Sequence, residues 1–230
     1  MSLGKQIRLN RIFGHETGRL CSLAVDHLVA YQNGLPEGLR NVPETIDLLV
    51  KGKPDAITMY KGMAQYAWQP HAGSIPLIIT SIAFSLDDAV MHQMARPHEC
   101  IRLGADAISA AIALRSKREG DYLKMLTTIV EEAAQYDLPV IAHIYPRDFS
   151  GEPKVVHDPE NILYAVRCGI ELGADAIKVP YTGDVQSFRE IVATSPVPVV
   201  AAGGPKTNTL LESLHLMHGA IEAGARGATI

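Results

Sequence analysis

One pentapeptide occurs twice in this chain: Gly104-Ala105-Asp106-Ala107-Ile108 returns unchanged as Gly173-Ala174-Asp175-Ala176-Ile177. Looser copies stand at Lys53-Pro54-Asp55-Ala56-Ile57 and Gly224-Ala225-Arg226-Gly227-Ala228-Thr229-Ile230. Glycine suits the position just past the end of a helix, and the apolar residues that follow suit a strand. A chain that keeps repeating this joint alternates helices with strands. Strands that are apolar almost throughout belong in a parallel sheet covered on both faces.

Runs of this kind number eight: Leu20–Asp26, Asp55–Lys61, Pro76–Ser81, Ala105–Ile112, Pro139–Tyr145, Ala174–Val179, Val197–Gly203 and Arg226–Ile230. Amphipathic stretches separate most of them, most clearly Lys117–Tyr136, Pro159–Leu172 and Asn208–Ala223, with Ser116, Asp158 and Thr207 as N-cap candidates. The connection Gly62–Ile75 has room for one or two helical turns. Eight evenly spaced strands favour a closed (β/α)₈ TIM barrel over an open doubly wound sheet, and no GxGxxG turn follows the first strand. The expected architecture is therefore one α/β barrel domain over residues 1–230, with a short N-terminal helix within residues 1–19 closing its bottom. The eighth strand starts at Arg226, and no helix follows it before Ile230. Further residues, or a neighbouring chain, are expected to cover the apolar outer faces left open there.

Bulk properties exclude several classes. The formal net charge is −4 and no basic run occurs, which argues against nucleic acid as a partner. A small anionic substrate is compatible with that balance, because a few cations in a pocket outweigh distant surface charge. The three cysteines, Cys21, Cys100 and Cys168, form neither a CxxC pair nor a disulfide framework, which suits a reducing cytoplasm. No apolar stretch approaches the roughly 20 residues of a membrane-spanning helix.

In such barrels chemistry collects at the C-terminal ends of the strands. The first strand ends in Asp26-His27, the second in Tyr60-Lys61, the fifth in His143-Ile144-Tyr145-Pro146-Arg147, the sixth in Lys178 and the seventh in Gly203-Gly204. Strand alternation puts Ala174, Ala176 and Lys178 on one face, Ile141, His143 and Tyr145 on another, and Ser22, Ala24 and Asp26 on a third. Small residues suit the crowded lumen, so Lys178 is expected to point inward. An amine taken partly out of water is easier to deprotonate, and a free amine is what attack on a carbonyl requires. The plainer readings are a solvent-facing lysine, a rim tyrosine, an Asp26 that caps its turn, and a Lys61 that is a solvated rim charge. His27 and His143 read as orienting or packing groups before metal ligands. After the seventh strand, Gly203-Gly204-Pro205-Lys206-Thr207 offers backbone N–H groups beside a helix start, which suits a phosphate.

Tyr145-Pro146-Arg147, Glu171-Leu172-Gly173-Ala174-Asp175-Ala176-Ile177-Lys178, Tyr181-Thr182-Gly183-Asp184 and Ala202-Gly203-Gly204-Pro205-Lys206-Thr207 together resemble the archaeal-type class I fructose-bisphosphate aldolases. The 2-amino-3,7-dideoxy-threo-hept-6-ulosonate synthases are close relatives of that family. The likeness runs from Asp26 to the last residue and is strongest from Pro139 onward. It implies that Lys178 is the Schiff-base lysine, Tyr145 the acid/base and Asp26 an aid to proton transfer. It further implies a substrate phosphate on the glycine pair, no metal or other cofactor, a phosphorylated sugar as partner, and a homo-oligomer, often decameric. Lys206, His143, Arg147, His27 and Lys61 are the remaining candidates for holding substrate.

The chain departs from that family in places. Asp-His-Gly is here Asp26-His27-Leu28, Tyr-Pro-Arg-Gly is Tyr145-Pro146-Arg147-Asp148, and His143 stands where the fructose-bisphosphate enzymes often carry tryptophan. Thr80-Ser81-Ile82-Ala83-Phe84 lacks the polar, glycine-rich loop expected after the third strand. The family continues past the eighth strand with Gly-Arg-Asn, whose arginine helps bind phosphate. These changes bear on the substrate more than on the reaction. The leading expectation is cleavage of fructose 1,6-bisphosphate into dihydroxyacetone phosphate and glyceraldehyde 3-phosphate. The alternatives are the heptulosonate-synthase type of transaldolase, a metal aldolase using Asp26, His27 and His143, and a phosphosugar-binding barrel without turnover.

Overall fold

The computed structural model describes residues 1–28, 34–203 and 207–230. In chain order its strands are β1 (Leu20–Ala24), β2 (Ala56–Tyr60), β3 (Leu77–Thr80), β4 (Ile82–Phe84), β5 (Met91–Gln93), β6 (Ala107–Leu114), β7 (Val140–Asp148), β8 (Lys154–Val155), β9 (Ala176–Val179), β10 (Val199–Ala201) and β11 (Gly227–Thr229). The helices are α1 (Leu3–Ile12), α2 (Val42–Val50), α3 (Lys61–Ala67), α4 (Pro97–Arg102), α5 (Glu119–Ala134), α6 (Pro159–Glu171), α7 (Val185–Ala193) and α8 (Leu210–Glu222). Eight parallel strands pair in the order β1-β2-β3-β6-β7-β9-β10-β11, and β11 pairs back onto β1 to close the barrel. Each of the eight runs expected from the sequence overlaps one of these strands, and the fourth and fifth strands extend past the expected ends to Leu114 and Asp148. Closure leaves no edge on the barrel sheet.

The repeated pentapeptide does two jobs. Gly104 and Gly173 adopt left-handed φ values of 75° and 80° and end α4 and α6. The next residue returns a hydrogen bond into the helix, Ala105 N–H to Cys100 O and Ala174 N–H to Gly169 O, both at 3.0 Å. The aspartate then faces the bottom of the barrel. Asp175 accepts from Lys5 Nζ at 2.8 Å and from Val140 N–H at 2.9 Å, while Asp106 accepts from Arg11 Nη1 at 3.1 Å. Lys5 and Arg11 both lie on α1, so the repeated acids anchor that helix across the barrel floor. Ile12 at its end is fully buried against Leu20, Ile78, Ile141 and Val200. Burying one such side chain contributes about 1.5–3 kcal/mol. The expected bottom-closing helix is present.

Several local expectations need correction. The N-cap of α5 is Arg118 rather than Ser116, whose Oγ instead accepts from Arg118 N–H at 3.0 Å. The N-cap of α8 is Thr209 rather than Thr207, because Thr207 is drawn into a 2.6 Å hydrogen bond with Ser213. Asp158 caps α6 as expected, accepting from Asn161 N–H at 3.0 Å. The stretch read as a loop after the third strand forms an antiparallel hairpin, β4 with β5. The fifth strand runs on to Asp148 and pairs there with β8. Gly227 sits so close to β1 that a Cβ on it would lie 2.1 Å from Leu20 O, and its φ is 152°. Only glycine fits that seam.

Candidate active site

The inward positions of the strands form two levels. The lower is apolar and includes Leu20, Ala56, Ile78, Ile141 and Ala176. Two residues further along the same strands stand Ser22, Thr58, Thr80, His143 and Lys178, all buried. Register sets the neighbours of the amine: Lys178 lies between His143 on β7 and Val200 on β10. The lysine is 7% exposed and the histidine 4%. Above this level opens a cavity of about 310 Å³, lined by Asp26, His27, His143, Tyr145, Arg147 and Lys178. Three separate strand ends therefore bring amine, phenol and carboxylate to one cavity, as parity had suggested.

Its electrostatics are specific. Burial, with the Lys178 charge as a second cause, holds the His143 imidazole well below its ordinary pKa. It is neutral at neutral pH, with one ring nitrogen able to accept and the other to donate. Thr80 Oγ1 donates to Asp26 Oδ2 at 2.6 Å and lies 3.1 Å from Ser109 Oγ. Asp26 is thus held by a hydroxyl pair from β3 and β6. Neither hydroxyl was singled out from sequence, although Ile78 and Thr80 alternate on the third strand as the inward residues of the other strands do.

The remaining candidates are placed differently from one another. His27 is exposed and lines the cavity rim. Arg147 is 8% exposed; its Nη1 donates to Leu86 O at 3.1 Å and its guanidinium lies 4.5 Å from the centre of the Phe84 ring. Lys61, at the start of α3, is outside this cavity and pairs with Glu99 at 2.6 Å. It borders a larger cavity of about 760 Å³ that shares His27, Leu28 and Tyr60 with the first. That larger cavity lacks Lys178, Tyr145 and Asp26, so size does not mark the chemistry here. Gly203 lies two residues past the end of the seventh barrel strand with φ 65°, and its carbonyl accepts from Tyr181 N–H at 3.3 Å. Gly204 and Lys206 lie outside the described residues. Among the described residues no three His, Cys, Asp or Glu side chains cluster as metal ligands, and no helix is long and apolar enough to cross a membrane.

Residues 20–230 match the DeoC/LacD family of aldolases. A 2-amino-3,7-dideoxy-D-threo-hept-6-ulosonate synthase of Archaeoglobus fulgidus is 35% identical, over 98% of this chain and 82% of its own. A 2-amino-4,5-dihydroxy-6-oxo-7-(phosphonooxy)heptanoate synthase of Streptomyces griseus is 28% identical, over 98% of this chain and 82% of its own. An archaeal fructose-1,6-bisphosphate aldolase, solved with its catalytic lysine covalently bound to the carbinolamine intermediate of the substrate, superposes with a TM-score of 0.84. That protein is 30% identical, and the match covers 98% of this chain and 90% of its own.

Proposed function

The chain belongs to the DeoC/LacD family of class I aldolases, which are carbon–carbon lyases, and on that premise we propose that Lys178 is the amine that forms the imine. The observation that carries this is the buried, inward-facing Lys178 beside a neutral imidazole, with Tyr145 and Asp26 in the same cavity. The unprotonated amine adds to a ketose carbonyl, and the carbinolamine loses water to give a protonated imine. Tyr145 then accepts the proton of the neighbouring hydroxyl as the C–C bond breaks, and the bonding electrons move into the imine to leave an enamine. Protonation of the enamine carbon and hydrolysis release the second product and restore the amine. Asp26, fixed by Thr80, assists proton transfer around the carbinolamine. The protonated imine on the lysine serves as the electron sink, so class I chemistry needs no cofactor.

The substrate we propose is a phosphorylated ketose, most simply fructose 1,6-bisphosphate, whose products are dihydroxyacetone phosphate and glyceraldehyde 3-phosphate. Gly203, with Gly204 and Lys206, would hold the donor phosphate through backbone N–H groups and one cation. His27 at the rim and His143 within would take substrate hydroxyls. A second reading is favoured by the names of the relatives at 35% and 28% identity: transfer to an acceptor that yields a seven-carbon amino-substituted product. One barrel domain carries the activity in either reading. The free thiols of Cys21, Cys100 and Cys168 support a cytoplasmic enzyme. Leu210, Leu211 and Leu214, exposed along α8, support assembly into a homo-oligomer.

The test is product formation from a panel of phosphorylated ketoses, each with and without added aldehyde acceptors. Triose phosphates released from fructose 1,6-bisphosphate alone support the first reading. Turnover that requires an acceptor supports the second. No C–C cleavage or exchange with any phosphorylated ketose would remove the proposal.

A further inference from the structure

Arg147 continues the inward alternation of His143 and Tyr145 on β7, and sequence alone offers it as an anion ligand. Its surroundings point elsewhere. The β4–β5 hairpin lies outside the barrel sheet, yet Ile82, Ala83, Phe84 and Leu86 form one wall of the cavity that holds Lys178. Arg147 reaches beneath that hairpin, donating to Leu86 O at 3.1 Å while its guanidinium covers the Phe84 ring at 4.5 Å. The Phe84 ring also meets Tyr122 of α5 edge-on, with centroids 5.6 Å apart. The Tyr122 hydroxyl donates to Asp88, a residue of the hairpin turn that is 6% exposed and has a left-handed φ of 64°. Asp88 is a nearby negative charge for the Arg147 guanidinium. A non-glycine residue in that conformation is uncommon, and here it is retained together with the buried Tyr122–Asp88 hydrogen bond.

We propose that Arg147 is a positioning residue: with Asp88 as counter-charge and Tyr122 as the link to α5, it fixes the β4–β5 hairpin as the apolar wall facing the imine. A backbone carbonyl and an aromatic ring engage the guanidinium, with the Asp88 carboxylate as a nearby counter-charge, and in this reading the donor phosphate is held elsewhere. The wall excludes water from the protonated imine and limits the space into which Tyr145, two residues earlier on β7, can turn. This rests on the Lys178 imine proposed above.

The test uses Arg147→Met, Arg147→Lys and Tyr122→Phe in the full chain, with three readouts. The first is borohydride trapping of a phosphorylated ketose on the wild-type protein; its failure would count against the imine and leave the hairpin question to the second readout. The second is hydrogen exchange of residues 82–93, which is independent of turnover. Arg147→Met and Tyr122→Phe are both expected to speed that exchange, and Arg147→Lys to restore part of the protection. The third is kinetic. Positioning predicts kcat falling about ten- to hundredfold in Arg147→Met, with KM changing less and with the trapped imine retained. A phosphate ligand would instead show KM rising by that factor, unchanged exchange in the hairpin and no effect of Tyr122→Phe. That second pattern would overturn the proposal.

Discussion

The two levels of the barrel lumen are built by the same strands and differ in every chemical respect. Leu20, Ala56, Ile78, Ala107, Ile141 and Ala176 form the lower one, closed from below by Ile12 of α1. Two residues on, about 6.6 Å further along each strand, the same faces carry Ser22, Thr58, Thr80, Ser109, His143 and Lys178. The lower level removes water from the floor of the site and holds the strands in register. The upper level holds an amine and an imidazole, and its hydroxyls fix a carboxylate. Neither level would serve alone. A polar ring over a wet floor would leave the amine solvated, and an apolar lumen throughout would have no use for one.

The comparison breaks most sharply at the top of the upper level. Tyr145→Phe removes a transferable proton and almost no volume, so turnover should fall about 10²–10⁴-fold with imine trapping partly kept. Near-normal turnover would reduce Tyr145 to packing. The next effect belongs to the lower level. Ile78→Ala leaves a cavity in a sealed layer and should cost about 2–5 kcal/mol in denaturant unfolding, with the turnover of the folded fraction preserved. A large kinetic effect from that floor position would erase the division between the levels.

How much of this was legible in sequence follows from what each feature depends on. The strands and the bottom helix were readable because they repeat one local joint and alternate with a period of two. Lys178, His143, Tyr145 and Asp26 were readable because parity places them and strand ends expose them. The β4–β5 hairpin was not, because Ile82-Ala83-Phe84 reads as part of the loop after the third strand and its turn lacks an Asn-Gly or Asp-Gly pair. Its left-handed residue is Asp88, held there by Tyr122 from a distant helix. Arg147 read from sequence as a substrate ligand, and the partners on which its proposed positioning role rests, Leu86 O and the Phe84 ring, come from a hairpin that sequence does not show. The N-caps at Arg118 and Thr209 missed by two residues, because hydroxyls at the expected positions found other partners.

A smaller effect tests how the upper level holds its carboxylate. Thr80→Val keeps the shape of the side chain but frees Asp26, which should lower turnover about tenfold, since a hydrogen bond to a charged group contributes roughly 1.5–3 kcal/mol. Unchanged kinetics would mean that Asp26 needs no orientation from β3. The smallest concerns His143. Its pKa is depressed in the folded protein, so the unfolded chain takes up the proton first as pH falls below about 6.5. Folding stability should then decline by up to about 1.4 kcal/mol per pH unit below that point and level off below the folded pKa. His143→Gln should flatten this segment in unfolding titrations between pH 5.5 and 6.5. A wild-type profile no steeper than that of the variant would show that the imidazole is not kept neutral by burial.

The central claim is that the one amine carried by the upper level does the chemistry, and peptide mass mapping after borohydride reduction tests it most directly. With a ketose substrate established by the turnover panel, the predicted result is a single reduced adduct on the peptide carrying Lys178, absent from Lys178→Met although that variant unfolds as a native protein does. An adduct on another lysine, or one of undiminished yield in Lys178→Met, would contradict the account.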